Sequence, residues 1–268
     1  MKTWQVVGTS WKVALRSSGV MGIVGAIAVV LGLLKLLISL QEQQGALTVV
    51  LPKLFLQLVE TLVYLAFQGG CLTFANAMVA KAPAQVPVAD FWRGARHLYG
   101  RLLGLWVLLV SSVSVYAFVT AIILPNLLRG AETASATPAA LVVSMLLILA
   151  PGGIVVYLCM LIGTMTPAAF AVENIGVMKG VKRGLEIGRA TLTKLMLVSL
   201  ALMFTLLPTL IFSIPQFLRE LGMAVMPGFL FLGVVFQGLV AGLSAVLYSV
   251  ALVQIYRHQV GIHQDALQ

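Results

Sequence analysis

Charge is what this chain has least of. Lysine, arginine, aspartate and glutamate make up 9% of its 268 residues, whereas a soluble domain carries about 25%. No stretch is both long and polar enough for a separate soluble domain, so 1–268 reads as a single unit immersed in a membrane. Cysteine is almost missing. Cys71 and Cys159 both lie inside apolar runs, which argues against a disulfide or metal framework and leaves them as small packing residues. His97, His258 and His263 have no companions at metal-ligand spacing. No HExxH, P-loop or GxSxG pattern occurs. The expectation is a non-enzymatic protein with no metal and no cofactor.

What the chain does hold is hydrocarbon. Hydrophobic residues make up 60% of it, and the mean hydropathy is +1.06. The apolar runs cover approximately 19–40, 48–80, 102–124, 139–171, 194–215 and 226–257. They are continuous and rich in Leu, Val, Ala and Gly, without the period-two alternation of a barrel. A helical crossing takes about 20 residues. The fold class that follows is an all-α integral membrane protein with six transmembrane helices, at approximately 19–40, 57–80, 102–124, 146–170, 194–215 and 230–257. Lys2, Lys12 and Arg16 precede the first run, but that run outlasts the roughly 7–15 residues of a signal-peptide core, so it reads as a retained helix. Pro52 is expected in an interfacial turn, and Pro151-Gly152-Gly153 in a kink or break of the fourth crossing. Pro208, Pro215 and Pro227 mark the outer end of the fifth crossing and the start of the sixth run.

The basic residues choose an orientation. Lys2, Lys12, Arg16, Lys81, Arg93, Arg96, Arg101, Lys179, Lys182, Arg183, Arg189, Lys194 and Arg257, 13 of the 17, fall on one side of this layout. The other side holds Lys35, Lys53, Arg129 and Arg219, together with Glu42, Glu132 and Glu220. The positive-inside rule then puts both termini in the cytoplasm, with the bacterial inner membrane as the location. The net charge of +9 is absorbed by that rule and by attraction to anionic headgroups, which leaves no call for a nucleic-acid partner. Before each odd-numbered crossing lies a basic amphipathic segment: Trp4 to Arg16, Phe91 to Arg101 and Val177 to Lys194. These read as short cytoplasmic amphipathic helices, and the three units as a candidate degenerate threefold hairpin repeat.

Several constellations invite a functional reading beside a structural one. Gly176, Gly180, Gly184 and Gly188 recur every four residues, flanked by Lys179, Lys182, Arg183 and Arg189. Such a ridge serves either a partner helix or headgroup, or close packing within the chain. Gly238 and Gly242 form a small-xxx-small pattern that serves either a neighbouring helix or a second copy; nothing in the sequence singles out the second copy. Lys35 and Glu60 are intramembrane charges, read as a mutual pair or as part of a proton or cation site with Gln57 and Gln68. Glu173, beside Asn174, is placed to cap the following helix or to bind Arg183 or Arg189.

Two stretches, Phe91–Leu105 and Thr166–Leu197, carry a resemblance. Here the chain is similar to the six-helix bacterial proteins related to the membrane domain of glycerophosphodiester phosphodiesterases. In that group a proline ending the fourth helix leads through an acidic and a small residue into a basic helix. Pro167, Glu173, Gly176, Lys182 and Arg183 occupy those places. Where such a membrane domain is fused to a phosphodiesterase, catalysis belongs to the soluble part, so the resemblance implies no hydrolase activity here. The leading expectation is a scaffold or regulator that meets anionic lipid or a protein partner through Arg93, Arg96, Arg101, Lys179, Lys182, Arg183 and Arg189. The alternative is a transporter or permease subunit built around Glu60 and a broken fourth helix.

Overall fold

In a computed structural model of the protein, residues 2–42, 50–80, 88–133, 138–207, 211, 214, 218 and 226–261 are described. Lys81, Pro208, Pro215, Arg219, Glu220 and His263 lie outside the described residues, as does most of the outer end of the fifth crossing. Among the described residues the chain forms seven helices: α1 (Thr3–Arg16), α2 (Ser18–Glu42), α3 (Val50–Ala80), α4 (Val88–Thr133), α5 (Pro138–Glu173), α6 (Val177–Leu206) and α7 (Pro227–Val260). The six from α2 to α7 are long and apolar enough to cross a membrane. The protein is therefore an all-α, multi-pass membrane protein.

Helix α1 is amphipathic. Val6, Val7, Val13 and Ala14 are buried against α6 and α7, while Lys12 and Arg16 are exposed. The Ser17 hydroxyl ends α1 by donating to the Val13 and Ala14 carbonyls, at 2.5 and 3.0 Å. This side-chain competition for the last carbonyls lets the chain turn at once into α2.

The other two amphipathic segments are not separate helices. Phe91–Arg101 runs unbroken into the rest of α4, and Val177–Lys194 into the rest of α6. No proline falls between Val88 and Pro125 or within α6, so nothing interrupts the hydrogen-bond ladder. The 46 residues of α4 reach about 69 Å, well beyond the roughly 30 Å of a hydrocarbon core. Pro52 makes no separate turn either, because α3 starts at Val50 and the first helical turn needs no N–H from a proline.

Of the kink or break expected in helix α5, the break is absent. The helix passes unbroken through Pro151, Gly152, Gly153 and Pro167. Gly152 faces the Tyr116 ring of α4, where a Cβ would collide with the phenolic oxygen. That glycine serves helix contact, and a bundle tolerates the single hydrogen bond each proline removes.

The closest packing joins α2 to α7, α3 to α4 and α5 to α6, and glycine lies at each contact. Side chains added at Gly69, Gly70 and Gly94 would strike Leu98, Phe91 and Thr73 between α3 and α4. Those at Gly238 and Gly242 would strike the α2 backbone at Gly25 and Met21. The tight pairs are thus not the hairpins of the candidate repeat but the seams between one hairpin and the next. The C-terminal half of α7 sits at the centre, with Val246, Leu247, Val250, Ala251, Val253 and Tyr256 all buried.

Candidate functional site

The end of the bundle that carries α1 is held by one polar network built on the turn between α5 and α6. Asn174 sits there with φ of 54°, a left-handed conformation that asparagine tolerates better than most residues. Its Oδ1 accepts a hydrogen bond from Arg101 Nη1 at 2.7 Å and lies 2.9 Å from His97 Nε2, which donates in the Nε2-protonated tautomer. One residue earlier, Glu173 Oε1 accepts from the Tyr256 hydroxyl at 2.6 Å and from Arg183 Nε at 3.2 Å. Arg183 also lies 3.6 Å from Glu186. Alongside, Arg257 Nη1 donates to Asn76 Oδ1, and the Asn76 amide donates to the Ala171 carbonyl, each at 3.0 Å. Five helices meet at this seam.

Glu173 therefore binds Arg183 instead of capping α6, whose N-cap Gly176 has no side-chain hydrogen bond. Tyr256 and Asn76, which complete the network, escaped the sequence reading because each looks like one more residue of a long apolar run.

The seven basic candidates divide by partner. Arg101 and Arg183 belong to the network, and Arg93 is held by Asp90 at 3.0 Å on its own helix. Arg96, Lys179, Lys182 and Arg189 are exposed and form no ion pair among the described residues. The acidic groups Asp90, Glu173 and Glu186 are each within reach of an arginine. Large apolar side chains are exposed between the free cations: Trp4 (73%), Leu15 (69%), Trp92 (45%) and Met178 (73%). Cations interleaved with exposed tryptophan are the composition of a membrane–water boundary.

The glycine ridge points inward. Gly180 meets the Phe170 ring, Gly184 the Thr166 backbone and Gly188 Leu161, all on α5, whereas Gly176 has open space around it. The Gly238/Gly242 pattern is likewise filled by α2. Neither ridge is left free for a partner helix or a second copy.

Toward the opposite end, α2, α3, α6 and α7 enclose a cleft of about 1470 Å³. Lys35 Nζ and Glu60 Oε2 are 2.5 Å apart on its wall, with Gln57, Tyr64, Gln68 and Gln237 among its other polar groups. Pro151, Gly152 and Gly153 are not part of this wall, so Glu60 and the proline–glycine segment do not share a site. Comparison with protein-family models, curated proteins and solved structures finds no match.

Proposed function

We propose that this protein is a non-enzymatic scaffold or regulator of the bacterial cytoplasmic membrane whose basic, cytoplasmic end binds anionic lipid headgroups. One observation carries the reading: among the described residues at that end, Asp90, Glu173 and Glu186 are each engaged by arginine while Arg96, Lys179, Lys182 and Arg189 stay exposed among apolar side chains. Each such cation near an anionic surface contributes about 1 kcal/mol of attraction. The resemblance at Phe91–Leu105 and Thr166–Leu197 agrees with it, because in that family too the membrane part is not the catalyst.

Native mass spectrometry from mixed micelles tests the proposal. Replacing Arg96, Lys179, Lys182 and Arg189 together by glutamine is expected to reduce retained phosphatidylglycerol several-fold and to remove the salt dependence of its binding. Salt-insensitive retention equal to that of the parent protein contradicts it.

A second reading, a transporter or permease subunit, draws on the cleft that holds Glu60 and Lys35. The unbroken α5 withdraws the discontinuous helix on which that reading also relied.

A further inference from the structure

The cleft between α2, α3, α6 and α7 has no part in the headgroup reading above. Its volume of about 1470 Å³ exceeds the roughly 300–1,000 Å³ of pockets for drug-sized molecules. Its floor is hydrocarbon, with Leu56, Val63, Phe67, Leu206 and Val234 among the lining residues. Its polar groups come from all four helices and include both members of an ion pair, Lys35 of α2 and Glu60 of α3.

The depth of that pair matters. Lys35 lies 17 residues beyond Ser18, the first residue of α2, about 26 Å along the axis. Glu60 lies 20 residues before Ala80, the last residue of α3, about 30 Å along. Both therefore approach the far boundary of a hydrocarbon core about 30 Å thick. Their side chains are 51% and 38% exposed, so the pair is not sealed inside the bundle. The contact between them uses one of the three ammonium donors and one of the two carboxylate oxygens. The remaining donors and lone pairs are open to a polar headgroup at the level of the membrane boundary.

We infer that this cleft binds an amphiphile with a zwitterionic headgroup, a phospholipid of the phosphoethanolamine type. Its phosphate meets the free donors of Lys35 and its ammonium meets Glu60, while an acyl chain fills the hydrocarbon floor. Charge complementarity selects the headgroup. Lys35 and Glu60 together are neutral, so a purely anionic headgroup drawn to Lys35 would face the Glu60 carboxylate beside it. A zwitterion meets both charges with the opposite sign and adds a charge-assisted contact to each.

Photo-crosslinking of the full-length protein in nanodiscs tests the inference, with acyl-diazirine phosphatidylethanolamine and phosphatidylglycerol as the two probes. Adducts are mapped to peptides of the cleft, so lipid held at the basic end does not enter the readout. The ethanolamine probe is expected to label the cleft about tenfold more than the glycerol probe, the factor expected from one charge-assisted hydrogen bond. Glu60→Gln should abolish or reverse that preference by leaving Lys35 unopposed, an effect a merely structural ion pair would not produce. Ala241→Trp, at an exposed position of α7 on the cleft wall, should suppress labelling by both probes without depending on the ion pair. Equal labelling by the two probes in the parent protein overturns the headgroup assignment. Labelling unchanged by Ala241→Trp overturns the site. Retention of phosphatidylglycerol at the basic end is independent of either result.

Discussion

Gly242→Leu is expected to destabilise the bundle by about 3 kcal/mol or more, at the upper end for overpacked interiors. A Cβ at Gly242 would stand 2.5 Å from the Met21 carbonyl oxygen and 2.9 Å from the Gly25 nitrogen. Both obstacles are backbone atoms of α2, so no rotamer change relieves the clash and the two helices must separate. Gly25 in turn faces the Gly238 carbonyl and the Leu239 backbone, which leaves the contact without slack on either side. Gly228→Ala, in the first turn of the same helix, meets nothing within 4 Å and should fall within about 0.5 kcal/mol of the parent. Reversible unfolding in mixed micelles, followed by helical circular dichroism, measures both. Equal effects of the two substitutions would contradict the packing account.

The second large effect is expected at Glu173. Glu173→Ala removes the acceptor of both the buried Tyr256 hydroxyl and Arg183, at a cost of about 3 kcal/mol because polar groups at the seam lose their partner. Tyr256→Phe removes one donor and leaves Glu173 paired with Arg183, so it should cost about 1 kcal/mol. The double variant should fall short of the sum of the two by about 1 kcal/mol, the coupling expected of groups in direct contact. Strict additivity in the same unfolding assay would mean that the 2.6 Å contact contributes nothing to the fold.

The architecture is largely legible in the amino-acid sequence. Six crossings follow from run lengths and from the scarcity of charge, both properties of the chain taken locally. The Lys35–Glu60 geometry was within reach as well, because two opposite charges at similar depth have few alternatives in hydrocarbon. What escaped were features set by neighbours. Pro151-Gly152-Gly153 carries the local signature of a break, yet α5 is helical throughout, and Gly152 makes room for Tyr116 on another helix. Phe91–Arg101 and Val177–Lys194 have the composition of surface helices, but composition does not record whether a helix ends before the membrane. Asn76 and Tyr256 gave no signal at all, since their role depends on meeting Arg257 and Glu173 across more than eighty residues of chain. The cleft belongs to the same class, being a space between four helices rather than a motif within one.

The proposed function requires one orientation, with the basic end of the bundle in the cytoplasm and the Lys35–Glu60 end facing outward. Membrane-impermeant thiol labelling of single-cysteine variants, in a chain with Cys71 and Cys159 replaced, tests it most directly. Cysteines at the exposed positions Lys12, Arg96 and Lys182, and a cysteine at the exposed position Lys53 near the other end, serve as reporters. In intact cells Lys53→Cys should label while the other three stay protected until the membrane is opened. Labelling of Arg96→Cys or Lys182→Cys from outside intact cells would invert the topology and remove the basis for an anionic-lipid surface in the cytoplasm.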